Sequence, residues 1–532
     1  MQQTPMFQSE SDWAPPSLLP DLTDEKEIAV DLETRDPNLM KRGPGWATGD
    51  GEVVGIAVAT KGWSGYLPIK HEAGGNLDRS FVLAWLKTQL QGTGDKIFHN
   101  SLYDVGWLKR EGIELNGKIQ DTMISAPLIN ENRNRYSLDS LGAEYCGERK
   151  DETLLKQAAQ EWGINPKAEM WKLPSKYVGP YAEQDAVLTL KLWQEMKKEI
   201  VKQNLTQIYE LESGILPLLI QMRWNGMLID SSKAEQTAEE LKSKEMQLLK
   251  EINRKFGGRV ELWASASIAK VFDKNGLTYP RTPRTNTASF TAEWLERHTH
   301  ELPQMIVKAR KINKARTTFI EKMIFEHLHK GKIHAQINPL RSDNGGTVSG
   351  RFSYSSPNLQ QVPARDPEIG SLIRGLFIPD GHDYWGAFDY SQQEPRLTVH
   401  YSALTRQTGA DRAVEQYQNE DADFHQIVAD MAGIDRKKAK MINLGLSYGM
   451  GKKKLTDALG LSEFEAEELF SKYHSRVPFI RGLSNACSRR ASNKGYITTL
   501  LGRKCRFNLY EPRNEAFLCL TTKQLRNGQG SN

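Results

Sequence analysis

Apolar and polar positions divide the chain into segments of different period. Ile28, Ala29 and Val30 run without a break into Asp31, Leu32 and Glu33, and Glu27–Thr34 predicts a strand. Asp31 and Glu33 are two apart, so both carboxylates leave one face of it. After a glycine-rich loop from Arg42 to Gly51, Val53–Thr60 and Gly65–Ile69 predict the next strands of a meander. Asp104 lies near the start of a predicted helix, and Asp121-Thr122 opens another that runs to Asn130. Tyr181 and Asp185, four apart, share a face of a third helix. From about Leu205 the pattern changes. Ile208, Leu211, Ile215, Leu219 and Met222 form a helical stripe that Gly226 breaks, and a long charged helix from about Ser232 to Phe256 follows. Ala387 and Phe388 run straight into Asp389, as at the end of a buried strand, which places that carboxylate at a sheet edge. Arg436, Lys440, Leu444 and Tyr448 recur every fourth residue. On a helix that row drifts about 40° per step and spans about 18 Å, forming one exposed stripe.

The chemistry of these positions adds to the pattern. Two carboxylates side by side repel unless a cation joins them, and carboxylates suit Mg²⁺ or Mn²⁺. A guanidinium, an ammonium, an apolar contact and an aromatic ring in a row suit a triphosphate with a base attached. The same row also fits a basic amphipathic helix on a surface. Taken singly, Asp31 reads equally as a strand-end carboxylate, and Asp104 and Asp121 as helix caps.

Composition sets the bounds. The 532 residues suffice for about three or four units of roughly 150 residues each, and a hydrophobic content of 39% supports real cores. The longest apolar run, Ile215–Ile220, is interrupted by Pro217 and is far too short to cross a bilayer, so no membrane partner is expected. The start, Met1-Gln2-Gln3-Thr4-Pro5, shows neither the basic nor the apolar part of a secretory signal, which predicts an intracellular protein. A net charge of +5, from 71 basic and 66 acidic residues, is compatible with nucleic acid without singling it out. Cys146, Cys487, Cys505 and Cys519 show no metal-ligand spacing and read as reduced thiols.

Two stretches carry a family resemblance. Asp389-Tyr390-Ser391-Gln392-Gln393-Glu394-Pro395-Arg396 and Arg436 through Tyr448-Gly449 resemble motifs A and B of the A-family DNA polymerases. These are the group of bacterial DNA polymerase I and many phage replicative polymerases. Asp31-x-Glu33, Asn100-x-x-x-Asp104 and Tyr181-x-x-x-Asp185 resemble the three motifs of the proofreading 3′–5′ exonuclease of the same enzymes, intact and in order. Met222–Asp230, the basic run of Arg310, Lys314 and Arg316, and the loop Gly345–Ser353 with Pro357-Asn358-Leu359-Gln360 resemble further parts of the polymerase domain. The resemblance covers about residues 25 to 531.

It implies a multidomain α/β and α+β fold. A lead at 1–24 precedes a ribonuclease H-like exonuclease domain at 25–204 and a right-hand polymerase domain at 205–532, with the thumb to about 340 and palm and fingers after it. By resemblance, Asp31, Glu33, Asp104 and Asp185 hold two divalent ions, Mg²⁺ or Mn²⁺, and Tyr181 orients the attacking water. Asp389 and the Tyr390 carbonyl hold the ions of nucleotide transfer, again two per site. Tyr390, Gln392, Glu394, His425, Arg436, Lys440, Leu444 and Tyr448 bind the nucleotide, with Glu394 beneath the sugar and His425 on phosphate. Arg351, Asn358, Gln360 and Gln529 contact DNA. The implied partners are primer-template DNA, single-stranded DNA 3′ ends and dNTPs, in the cytoplasm of a bacterial cell or a phage-infected host.

Three departures stand out. Pro395 occupies a usually aliphatic position and delays the expected helix. Leu444 replaces the usual Phe or Tyr. The family's second metal-binding aspartate, from a His-Asp-Glu turn, is missing: Gln529-Gly530-Ser531 is followed only by Asn532, and His382-Asp383 is followed by Tyr384. The palm is therefore expected to lack its last strands, and polymerase activity to need a further segment or a second polypeptide carrying that turn. No 5′ nuclease segment and no thumb insertion for a processivity factor are expected. The alternatives are a stand-alone 3′–5′ exonuclease with a DNA-gripping pseudo-polymerase domain, and a non-catalytic subunit of a split polymerase.

Overall fold

A computed structural model describes residues 9–364, 366–381, 384–418, 423–447, 453, 456 and 459–507. Tyr448, Gln529, His382 and Asp383 lie outside the described residues. The chain divides into two units. One comprises Met1–Ala126, Arg135–Glu199 and Glu210–Trp385; the other comprises Pro127–Asn134, Ile200–Tyr209 and Gly386–Asn532.

A five-stranded sheet organises the first unit, in the order β3-β2-β1-β4-β5. The central β1 (Glu27–Arg35) pairs antiparallel with β2 (Glu52–Ala59) and parallel with β4 (Asp95–Phe98). Outside these lie β3 (Ser64–Pro68), antiparallel to β2, and β5 (Ile119–Asp121), parallel to β4. Ile28, Ala29 and Val30 are buried on both faces, as a central strand requires. The register of β1 against β2 slips between Glu33 and Thr34. Such a bulge re-aims side chains, and here it follows directly on the two acids. Between β1 and β2 the expected loop contains two single helical turns, Leu39–Arg42 and Gly45–Thr48. Asp36 organises it, accepting from the Gly45 N–H with both oxygens at 3.1 and 3.0 Å. Gly106 lies flat against Trp46, where an added Cβ would come within 2.2 Å of the indole.

The helical stripe beyond Leu205 is two helices, Thr206–Gly214 and Leu216–Asn225. Pro217 sits in the first turn of the second, where a proline starts a helix more readily than it continues one. The face therefore shifts: Ile208 and Leu219 are buried, whereas Leu211 and Met222 are exposed. The charged helix is Ser231–Phe256, capped by Asp230 accepting from the Lys233 N–H at 3.0 Å. It buries Ala234, Ala238 and Leu241 in one cluster with Ile320 and Ile324 of the π-helical segment Ala315–Phe325.

The second unit is mainly helical. Phe424–Ala432, Arg436–Ser447, Glu463–Arg476 and Pro478–Lys494 enclose a core that includes Val428, Ala439, Ile442, Phe470 and Phe479. The strand expected to run into Asp389 is not formed. Residues 384–391 have no regular structure, Phe388 is 99% exposed and Tyr390 80%. A strand needs a neighbour for its backbone donors and acceptors, and none among the described residues pairs with this stretch. Pro395 does not delay the helix, which spans Gln393–Leu404. In the first turn its absent N–H would have had no intrahelical acceptor anyway. Among the described residues no helix is long and apolar enough to cross a membrane.

His71, one of the buried histidines of the first unit, is expected to contribute to acid sensitivity. His71 shares a 2.7 Å bond with the Tyr66 hydroxyl and a 2.9 Å bond with the Leu173 carbonyl. Burial pushes its imidazole down to about 4. The folded chain thus binds this proton more weakly than the unfolded chain, whose histidine titrates near 6.5. The stability His71 contributes is complete above about 6.5 and falls away as the pH drops towards about 4, by about 3 kcal/mol. His71→Gln is expected to flatten urea-unfolding free energies across that window. An unchanged pH slope would refute the assignment.

Candidate functional site

β1 delivers Asp31 and Glu33 from the middle of the sheet, and the helix Ser175–Lys202 delivers Asp185 and Tyr181. One ligand oxygen from each of Asp31, Glu33 and Asp185 lies within 4.8 Å of the others. Among the described residues this is the only such group of acids or histidines. Asp104, in the helix Ser101–Arg110, is buried, takes a hydrogen bond from the Leu32 N–H and feels the charge of Asp31. Burial, then repulsion from Asp185, raises Asp31 to about 7. Glu33 and Asp104 are pushed well above the usual carboxylate range, by burial first and then by Asp31. Burial raises Asp185 against the opposing pull of Lys150. Asp185 Oδ1 is buried and has no hydrogen-bond partner. Converging acids that resist ionisation, with one oxygen unpartnered, fit a site that takes a hard divalent cation.

Asp121, read from sequence as a helix cap, is a structural anchor. It accepts from the Ser101 N–H and hydroxyl at 2.7 Å each and from the Met123 N–H at 2.8 Å. It thereby ties β5 to the helix that carries Asp104.

In the second unit, Asp389, Tyr390 and Glu394 are exposed. Gln392 adopts a left-handed conformation with φ 55°, and its side-chain oxygen accepts from the Tyr417 hydroxyl at 3.0 Å and the Phe424 N–H at 2.7 Å. The helix Arg436–Ser447 exposes Arg436, Lys440 and Leu444, as the four-residue spacing predicts. Arg436 forks onto Asp423 at 2.8 and 2.5 Å, and Asp423 also caps the helix Phe424–Ala432. Behind His425 lies a buried chain: the Tyr473 hydroxyl donates to Asn443 Oδ1, and Asn443 Nδ2 lies 3.2 Å from His425 Nδ1. With the amide so oriented, Nδ1 is the acceptor and the neutral imidazole carries its proton on Nε2. Burial, with Lys440 and Arg436 adding to it, pushes His425 below its usual range.

In the glycine-rich loop, Arg351 is exposed. Asn358 caps the turn Leu359–Gln361 through the Gln360 N–H at 3.1 Å, and the Gln360 amide donates to the Phe352 carbonyl at 2.9 Å. Both amides thus shape the loop itself, and nothing among the described residues places a nucleic acid on them.

Comparison with known proteins decides the family. The model of DNA polymerase family A matches residues 231–523, and that of the 3′–5′ exonuclease matches residues 11–201. The chain belongs to DNA polymerase family A. It is a DNA-directed DNA polymerase with a 3′–5′ exonuclease domain. It is 38% identical to the DNA-directed DNA polymerase of Pseudomonas phage M6, over 95% of this chain and 85% of that one. It is 33% identical to DNA polymerase DpoZ of Acinetobacter phage SH-Ab 15497, over 80% and 75% respectively. Against DNA polymerase I of Pseudomonas aeruginosa it is 28% identical over 91% of this chain but only 53% of the bacterial protein. The POL domain of Pol1 from M. smegmatis, in complex with DNA primer-template and dNTP, shares the fold at a TM-score of 0.72. That match has 21% identity and covers 96% of this chain and 83% of the other.

Three residues that motif reading overlooked contact the candidate site residues, directly or through one another. Lys150 reaches Asp185 and Tyr181 from a loop. Asn443 and Tyr473 set the orientation of His425. Asn443 is one position from Leu444 and reads as helix interior. Lys150 lies 31 and 35 positions before its partners, in a stretch with no pattern of its own.

Proposed function

We propose that this polymerase removes nucleotides one at a time from DNA 3′ ends at Asp31, Glu33, Asp104 and Asp185, and joins dNTPs to a primer end at Asp389. The observation that carries the first part is the convergence of Asp31, Glu33 and Asp185 within 4.8 Å, with one Asp185 oxygen left unpartnered. Two Mg²⁺ or Mn²⁺ ions held there would lower the pKa of an attacking water and neutralise charge on the leaving 3′ oxygen. The four carboxylates would hold those cations and so orient the scissile phosphate. Tyr181, its hydroxyl held by Lys150 at 2.9 Å, orients the water. The water oxygen bonds to phosphorus, the P–O3′ bond breaks, the 3′ oxygen leaves with a proton, and a nucleoside 5′-monophosphate departs. The test is release of mononucleotides from single-stranded DNA in Mg²⁺, with a chelator as control.

The assigned boundaries are 25–204 for the exonuclease and 205–532 for the polymerase domain, and the location is the cytoplasm of a bacterial cell or a phage-infected host. Arg351, Asn358, Gln360 and Gln529 are assigned to primer-template DNA. Tyr390, Gln392, Glu394, His425, Arg436, Lys440, Leu444 and Tyr448 are assigned to the incoming nucleotide. Lys440 is exposed, and among the described residues it forms no ion pair, whereas Arg436 is already paired with Asp423. Lys440→Ala is therefore expected to weaken dNTP binding more than Arg436→Ala does, by about 1.5–3 kcal/mol. The measurement is dNTP affinity on primer-template ended with a dideoxynucleotide, where no transfer can occur. Equal losses for the two variants, or none, would contradict the division.

A second reading of nucleotide transfer is favoured by the stretch 384–391, which has no strand partner among the described residues. In it, transfer awaits a carboxylate brought beside Asp389 by a further segment or a second polypeptide with a His-Asp-Glu turn.

A further inference from the structure

Among the described residues, Lys150 is the cationic side chain that acts on Asp31, Glu33 and Asp185, and the fold holds it there from both sides. Its own N–H donates to Asp139 Oδ1 at 3.1 Å. The next N–H, of Asp151, donates to Gln184 Oε1 at 2.7 Å, and the Gln184 amide donates back to the Arg149 carbonyl at 3.1 Å. Gln184 belongs to the helix Ser175–Lys202, so the loop is fastened to the element that carries Tyr181 and Asp185. From that anchor the ammonium donates to Asp185 Oδ2 and, at 2.9 Å, to the Tyr181 hydroxyl, and it lies 4.3 Å from the centre of the Tyr181 ring. The Lys150 side chain is only 12% exposed. Lys150 uses one oxygen of Asp185 and leaves the other, Oδ1, unpartnered.

We propose that Lys150 is a positioning residue of the exonuclease, clamping the Asp185 carboxylate and the Tyr181 hydroxyl as one unit so that Asp185 presents Oδ1 to a divalent cation. This rests on the exonuclease reading of the site. A carboxylate that binds a metal with one oxygen is free to rotate unless its other oxygen is fixed, and the partner that fixes it governs affinity as the ligand itself does. The ammonium bonds to Asp185 and Tyr181, so its effect on the reaction passes through them.

The test uses the full chain. Mn²⁺ binding is measured on the resting protein without DNA, and 3′ nucleotide release is measured as kcat and KM for single-stranded DNA. Lys150→Met is expected to lose about 10–100-fold in Mn²⁺ affinity and in kcat, with KM for DNA unchanged. Lys150→Arg, which keeps a cation and paired donors, is expected to recover part of both. Gln184→Leu, which frees the loop but keeps the ammonium, is expected to give the same losses in smaller measure, and it serves should Lys150→Met fail to fold. Unchanged Mn²⁺ affinity in Lys150→Met would overturn the proposal. So would tighter Mn²⁺ binding, which would mark Lys150 as a competitor for the cation's place. A wild-type chain that binds Mn²⁺ but releases no 3′ nucleotide would overturn the exonuclease reading instead.

Discussion

Replacing Asp31 and Glu33 together with Ala is expected to abolish 3′ nucleotide removal, by about a thousandfold or more, equivalent to about 4 kcal/mol of barrier. The two carboxylates supply two of the three oxygens that converge within 4.8 Å, so their loss removes the cation site as a whole. DNA binding is expected to persist, because neither acid attracts a phosphate. The fold is expected to persist too, and its pH dependence gives an internal check. Burial and Asp185 raise Asp31 to about 7, so the folded, metal-free chain binds that proton more tightly than the unfolded chain does. Stability linked to Asp31 is then complete below about 4 and is lost as the pH rises through about 7. The double variant should lack this loss, and without metal at neutral pH it should unfold no more easily than the wild type. Wild-type nuclease rates in the variant would move the site elsewhere.

Templated synthesis by the 532-residue chain alone is expected to be little or none. Two-ion phosphoryl transfer needs one cation at the primer 3′ oxygen and one at the triphosphate, each with about six oxygen ligands. Asp389 and the Tyr390 carbonyl are few for two ions, and no other acid or histidine joins Asp389 in a metal-binding group among the described residues. Glu394 belongs beneath the sugar in the family's plan. The stretch that carries Asp389 also lacks a strand partner there, with Phe388 fully open to solvent. An exposed apolar side chain of this kind favours contact with another chain. A polypeptide with a His-Asp-Glu turn and its flanking strands would cure both defects. The assay is primer extension with dNTPs and Mg²⁺ on the Asp31→Ala, Glu33→Ala background, so that degradation cannot hide synthesis. Robust extension without a partner would mean that another carboxylate of this chain completes the site.

The grouping of Asp31, Glu33 and Asp185 is legible in the sequence because its signals are local. Asp31 and Glu33 announce themselves by strand period, Tyr181 and Asp185 by helix period, and burial of Ile28–Val30 makes β1 central whatever surrounds it. The row Arg436, Lys440, Leu444 was legible for the same reason. What sequence missed depends on long-range closure. Lys150 reaches its partners through a loop fastened by Gln184, which no periodicity encodes. Asn443 looks like any polar residue inside a helix until Tyr473, 30 positions on, fixes its amide. The strand expected at Ala387–Phe388 failed because a strand is a property of a pair, and the apolar run specified only one partner. The stripe of Ile208 to Met222 failed at Leu211 in the first helix and at Met222 in the second, both of which face solvent.

The most direct test of the central claim follows a 5′-labelled single strand through one round of the reaction in Mg²⁺. If Asp31, Glu33, Asp104 and Asp185 form a 3′–5′ exonuclease, the label shortens in single-nucleotide steps from the 3′ end and nucleoside 5′-monophosphates appear. Both cease with a chelator and in the Asp31→Ala, Glu33→Ala variant. Internal cuts, loss of the label as a mononucleotide in the first step, or undiminished shortening by the double variant would contradict the account.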